Sequence, residues 1–436
     1  MLARIRPGLG LSMGMVLGTA CLCGSLTGDV QQLSAQDTPS RDVGDWPQFL
    51  GPDRNGISRE TQLMRKWPTD GPPELWRSPG GTGMSGLAIQ DGRLVTMLQS
   101  AGQQVVRVLD AKTGRRVHEI PLAPNYRNQM GNGPRATPAI QDGTAYAYTG
   151  EGILAAVDLE SGRVLWKTRV VEQLAAKPAD YGMASSPLVV GKRVLVIAGS
   201  TRGTLVACDR ASGRIVWKTG SDRAGYSSPA LRTVAGRQQV VSFTGQSVIG
   251  VDPNSGKLLW RYPYETDYDC NIATPLSHQG RIFISAGENH GSALLELQAA
   301  DASFRVRAAW TSQGRTSSLR NEWQTSILLG NHLYGLDNVG SAGPVTHLNC
   351  VDIRTGERVW QKTRFGKSNL IAADGKLFFT TMKGELVVVV ASPDGYSELG
   401  RKVVLGTTRQ APALANGRLY MRDDREIVCL SVRQAD

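Results

Sequence analysis

A nine-residue phrase, Asp-x-x-[Ser/Thr]-Gly-[Lys/Arg/Glu]-x-x-Trp, recurs along the chain and limits it to very few folds. It reads Asp158-Leu-Glu-Ser-Gly-Arg-Val-Leu-Trp166, Asp209-Arg-Ala-Ser-Gly-Arg-Ile-Val-Trp217, Asp252-Pro-Asn-Ser-Gly-Lys-Leu-Leu-Trp260 and Asp352-Ile-Arg-Thr-Gly-Glu-Arg-Val-Trp360. A variant, Asp110-Ala-Lys-Thr-Gly-Arg-Arg-Val-His118, ends in His. Successive Asp residues stand 48, 51, 43 and 100 positions apart, the last interval being two steps with a degenerate copy from Asp301 to Trp310. Such a period signals stacked supersecondary units.

Each phrase predicts strand, tight turn, strand. An apolar run such as Ile153-Leu-Ala-Ala-Val157 precedes the Asp. The carboxylate can accept turn N–H groups, and Gly162, Gly213, Gly256 and Gly356 supply the positive φ that side chains resist. The terminal Trp offers a large apolar face with one donor, suited to docking on a neighbouring unit. A second phrase opens each unit: Ala136-Thr-Pro, Ser185-Ser-Pro, Ser227-Ser-Pro and Ala273-Thr-Pro, with looser copies at Ser85, Gln324, Ser368 and Gln410. Pro fits the first residue of a strand, where no ladder donor is needed.

Eight starts with four strands per unit predict an all-β fold, an eight-bladed β-propeller of four-stranded antiparallel blades. The last unit, from Gln410, holds only three strands, while Glu74-Leu-Trp-Arg77 stands alone ahead of the first hairpin. Pairing that N-terminal strand with the last blade closes the ring and hides both sheet edges. The expected organisation is a signal peptide over 1–35, an irregular lead-in over 36–73 that packs on the propeller, and the propeller over 74–436.

The leader reading rests on Arg4 and Arg6, an apolar stretch from Leu9 to Leu26 and the cleavage-like Leu33-Ser-Ala35. Export to the periplasm or cell envelope follows, with membrane attachment only through lipidation at Cys21 or an uncleaved signal. Cys208, Cys350 and Cys429 fall in third strands of different units, too far apart for disulfides, and read as small buried hydrophobes. The formal charge of +11 is dispersed without a basic run, which argues against nucleic acid.

The nine-residue phrase closely resembles the repeat of the pyrroloquinoline-quinone-like (PQQ-like) propellers, the fold of the quinoprotein alcohol dehydrogenases and their non-catalytic relatives. The resemblance covers roughly residues 74 to 433. In size the chain is nearest the compact non-catalytic members, such as the propeller lipoprotein of outer-membrane barrel assembly, although membership of that machinery does not follow. In this family the phrase docks blades and does not bind cofactor. Asp158, Gly162, Trp166, Asp209, Gly213, Trp217, Asp252, Gly256, Trp260, Asp352, Gly356 and Trp360 are therefore read as structural.

Loops ahead of the innermost strands, with the second turn of unit five, place a mixed-charge ring around the central funnel. Its candidate binding residues are Arg127, Arg135, Tyr181, Asp222, Tyr226, Asp267, Asp269, Asn271, Glu288, Asn289, Arg320 and Glu322. The oxygen donors among them are of the type calcium takes, so a PQQ- and calcium-dependent dehydrogenase is one alternative. Against catalysis stand the absence of the adjacent Cys-Cys pair, of Cys-x-x-Cys-His and of the long insertions of those enzymes. Gly81-Thr-Gly-Met-Ser-Gly86 matches G-x-G-x-x-G without a βαβ unit and reads as a funnel loop. The five histidines show no ligand spacing. The favoured reading is a non-catalytic scaffold that binds envelope proteins and needs no cofactor; a small-ligand or carbohydrate-binding propeller is the other alternative.

Overall fold

The computed structural model describes residues 44–300, 303–340 and 343–434. The leader over 1–35, Cys21 and Asp301 lie outside the described residues. Eight four-stranded antiparallel sheets follow one another around a ring. Blades one to seven span 88–124, 139–169, 188–219, 230–263, 276–313, 327–362 and 368–403. Blade eight combines three strands from 413–431 with Glu74–Pro79, which pairs antiparallel to Glu426–Ser431. Among the described residues the only α-helix is Val170–Gln173, and no helix is long and apolar enough to cross a membrane.

Each turn of the recurrent phrase is tied locally. The carboxylates of Asp158, Asp209 and Asp252 accept from the backbone N–H and hydroxyl of Ser161, Ser212 and Ser255, at 2.5–2.9 Å. The following Gly has φ between +71° and +77° in all five copies. The same Gly leaves room for the docking residue of the preceding blade. A Cβ on Gly114, Gly213 or Gly256 would lie 2.5 Å from the ring of Trp76, Trp166 or Trp217, and on Gly162 or Gly356 it would lie 2.8 Å from His118 or Trp310. Most of these rings also bond the next blade, Trp166 donating to Arg210 O at 3.0 Å and Trp310 to Ile353 O at 2.8 Å.

Trp260 departs from the expected docking role. Blade five replaces the Ser-Gly turn with a longer hairpin, paired through Ala300 and Ser303, so Trp260 meets no turn glycine. It points into its own blade and donates to Gln239 Oε1 at 2.6 Å.

Blade seven shows the converse. Gly400 stands opposite Val388, the register that Trp166 holds opposite Ala156 and Trp360 opposite Cys350. The missing ring is supplied from the lead-in. Trp67 lies where a Gly400 Cβ would be 3.0 Å from its own Cβ, and its indole meets Phe378 edge-on with centroids 6.1 Å apart.

The opening phrase makes the inner seam. Its hydroxyl residues accept backbone N–H bonds from the preceding blade: Gly86 to Thr137, Thr137 to Ser186, Ser186 to Ser228 and Thr274 to Thr325, all at 2.9–3.0 Å. The closing seam carries the buried Arg422, which reaches from blade eight to Met97 O at 2.9 Å and Thr96 Oγ1 at 2.8 Å in blade one. Burial depresses its pKa to about 10.

The lead-in runs across one end of the ring. Trp46 exchanges backbone bonds with Ile89 in blade one, Pro47 O accepts from Ile140 in blade two, and Gly56 and Ser58 bond Ala372 in blade seven. Between them Arg54, 2% exposed, donates to Pro229 O at 2.7 Å, Ser186 O at 3.1 Å and also Pro187 O. A fully buried guanidinium is tolerated because carbonyls and the Gln48 side chain receive its protons. Cys208, Cys350 and Cys429 are buried free thiols, and burial pushes Cys208 and Cys429 up to about 12 and Cys350 to about 11.

Candidate functional site

The loops before the eight innermost strands converge on an axial cavity of about 190 Å³. Met84, Arg135, Ala184, Tyr226, Ile272, Trp323, Asn369 and Arg409 each bring one blade to its wall, and Phe49 of the lead-in completes it. Of the twelve predicted binding residues, only Arg135, Tyr181 and Tyr226 line this cavity. Met84 belongs to the Gly-rich funnel loop, which is irregular backbone leading into the first inner strand.

Arg135 is held rigidly. Its Nε donates to Tyr181 O at 2.7 Å, one Nη to Gly131 O at 2.6 Å and the other to Gly133 O, while its guanidinium lies 4.8 Å from the Tyr126 ring centroid. Burial lowers its pKa. Tyr181 and Tyr226 stack at 5.5 Å, and the Tyr226 hydroxyl accepts the Tyr181 N–H at 3.2 Å. Desolvation raises both phenols, so each remains neutral. Arg409 donates to Met130 O at 2.8 Å and stands 5.2 Å from the Trp323 centroid, with Lys367 at 4.5 Å from the same ring. Trp323 was not singled out by sequence, although it directly follows Arg320-Asn-Glu322 in a loop already assigned to the funnel.

Other predicted residues are engaged within the fold. Asp222 is buried and accepts from Thr244 at 2.7 Å, Arg261 at 3.0 Å and Ser247. Burial pushes its pKa up, but these donors outweigh it and the net shift is downward. Asn271 donates to Thr244 O and Tyr264 O and accepts from Thr266. Arg320 forms a two-point ion pair with Asp337 at 2.7 and 2.8 Å, both side chains buried. Asp269 is gripped by Arg223 through two 2.8 Å bonds. Glu322 accepts from Lys367 at 2.8 Å and from Asn338, and desolvation still raises its pKa. Asn289 accepts from the Gly340 N–H at 3.2 Å. Asp267 and Arg127 are exposed, and Glu288 is half-buried. Glu288, Asp269, Glu322 and Asp267 together support a rise of the Cys270 thiol to about 12 that burial begins.

The quinone and calcium of the dehydrogenase reading can be tested on this donor set. Calcium takes roughly six to eight oxygen ligands. Asp269, Asn271 and Glu322 already serve cations or backbone groups, and no three His, Cys, Asp or Glu side chains converge on a metal-sized space among the described residues. The axial cavity is also smaller than the roughly 300 Å³ at which ligand pockets usually begin. The residues present do not fit that pair.

The repeat and ring are matched by known proteins. Residues 102–362 and 345–436 match the family described as outer membrane protein assembly factor BamB. The chain belongs to this family of PQQ-like repeat propellers. Within it, the BamB of Yersinia pestis is 20% identical over 297 residues, 66% of this chain and 71% of that protein. The dehydrogenase subunit of a quinone alcohol dehydrogenase from Komagataeibacter europaeus is 28% identical over 206 residues, 42% of this chain but only 27% of that subunit. Among solved structures, the quinohemoprotein alcohol dehydrogenase of Comamonas testosteroni superposes with a TM-score of 0.66 at 14% identity, over 90% of this chain and 81% of that one. At that identity the likeness shows the fold alone.

Proposed function

We propose that this BamB-family propeller is an exported, non-catalytic scaffold at the cell envelope, which binds partner proteins through its funnel face and requires no cofactor. The observation that carries the reading is the engagement of the funnel's polar groups. Asp222, Asp269, Asn271, Arg320 and Glu322 hold loops in place, which builds a rigid face in preference to a reactive centre. The Yersinia pestis relative, named as an assembly factor and matched over most of its length, supports the same class of function. The partial match to a quinone dehydrogenase keeps the enzyme as the competing reading.

Two measurements separate them. Affinity capture with the tagged chain from cross-linked envelope extracts should retrieve a discrete protein partner, and an Arg409→Glu substitution on the funnel face should reduce it. Calorimetric titration with PQQ and calcium should give no saturable heat. One-to-one quinone binding with dye reduction by an alcohol, and no captured partner, would replace the scaffold with the dehydrogenase.

A further inference from the structure

A second cavity, of about 680 Å³, opens between blades six and seven and shares Trp323 with the axial one. That volume lies within the range of specific ligand sites. Lys362, Arg364, Lys367, Lys383 and Arg401 line it against a single carboxylate, Glu385. Two of the cations are neutralised: Arg401 pairs with Glu385 at 3.1 Å and Glu398 at 3.0 Å, and Lys367 pairs with Glu322 at 2.8 Å. Among the described residues, no carboxylate forms an ion pair with Lys362, Arg364 or Lys383, and all three are exposed.

Their placement is fixed from behind. The Lys362 ammonium sits 4.9 Å from the Tyr396 ring centroid. Arg364 has φ +53°, and its backbone N–H donates to His347 Nδ1 at 2.9 Å. Between the cations the wall is apolar: Phe365, packed at 4.7 Å on Phe379, with Met382 and Trp323.

We infer that this groove takes an acidic peptide segment of a partner protein, its carboxylates on Lys362, Arg364 and Lys383 and an apolar side chain on Phe365 and Met382. This rests on the scaffold reading and names the chemistry of the partner. A free phosphate would leave the apolar floor unused. A sugar chain needs acceptors for its hydroxyls, and Glu385 is already engaged by Arg401 and Thr381.

The test uses the full chain and a fluorescein-labelled nonapeptide of Asp and Glu around a central Phe, read by anisotropy. Saturable binding is expected, weakening with salt as the Debye length falls from about 10 Å at 0.1 M to about 3 Å at 1 M. The pair Arg364→Glu and Lys383→Glu should lower affinity about tenfold or more. Arg65→Glu with Lys66→Glu, an equal charge change on the lead-in, should leave it unaltered. Equal binding of the peptide with Asn and Gln for its acids, or no difference between the two charge-reversed variants, overturns the inference. Binding of oligogalacturonate that the peptide does not displace reassigns the groove to anionic glycan and overturns it too. If the groove variant retrieves the same envelope partner as the native chain, the groove assignment fails while the scaffold stands; if neither retrieves one, the scaffold reading itself fails.

Discussion

Trp67 and Gly400 form a docking pair split between two segments, and exchanging them tests how the blades are held. Truncating a buried Trp to Ala costs about 3–5 kcal/mol. Trp67 is only half-buried, so Trp67→Ala should cost about 2 kcal/mol. With an unfolding entropy of about 2.1 cal/mol/K per residue, a chain of this length loses about 1 °C per kcal/mol, giving a fall of about 2–3 °C by calorimetry. Gly400→Trp in the native chain forces a second indole against Trp67, since even a Cβ there lies 3.0 Å from the Trp67 Cβ. Overpacking of that kind costs about 1–3 kcal/mol. In the Trp67→Ala background the same substitution enters vacated space at the register the docking Trp holds in blades two, three and six. The double variant should therefore be more stable than either single one, with a coupling of about 1 kcal/mol or more. Additive losses would refute the view that the lead-in replaces a missing blade residue.

Three further outcomes follow from the same contacts. Gly213→Ala should destabilise by about 2–3 kcal/mol in chemical denaturation, because the Cβ meets Trp166 at a positive φ; Gly143→Ala, at φ +70° with open space around it, should cost only about 1 kcal/mol. Burial pushes the Asp252 carboxyl up, but the Ser255 N–H and hydroxyl and the Arg237 guanidinium outweigh it and hold the pKa at about 2. Because the folded value lies below the unfolded one, its stabilisation is present above about pH 4 and lost as pH falls toward 2, so Asp252→Asn should cost about 1 kcal/mol at pH 6, after allowance for solvent screening, and almost nothing at pH 2. Arg54→Met should leave the carbonyls of Ser186, Pro187 and Pro229 without their donor, lowering stability by about 3 kcal/mol and admitting protease to the lead-in near Arg59; a variant as stable and protease-resistant as the native chain would remove Arg54 as the anchor of that segment.

The ring was readable because its docking unit is local. Asp, Ser and Gly of each turn satisfy one another within five residues, and the next contact, Trp on the following Gly, repeats at one period, so sequence alone carried blade number and closure. The Trp67 contact was not readable: it replaces a repeat residue with one from an aperiodic segment some 330 positions away from Gly400. Trp260 was misread for the same reason inverted, since its own phrase is intact and the departure lies in blade five, where the turn it needed is absent.

Polar residues of the funnel pose a harder case, because a donor engaged in folding and a donor awaiting a ligand look alike in sequence. Arg320 was legible as a funnel cation, but its partner Asp337 lies in the next strand pair and carries no motif, so the buried pair emerges only from tertiary packing. Arg364 reads in sequence as one more funnel-loop cation ahead of an inner strand, and Lys383 lies in a hairpin turn that carries no motif. What distinguishes them is the surface left between two blades: unpaired cations around Phe365 and Met382, beside a Trp323 shared with the axial cavity. A propeller fixes its ring through repeated contacts and varies its function through the loops that the repeat leaves unconstrained. The residues that break the period are accordingly where a partner of this chain should be sought.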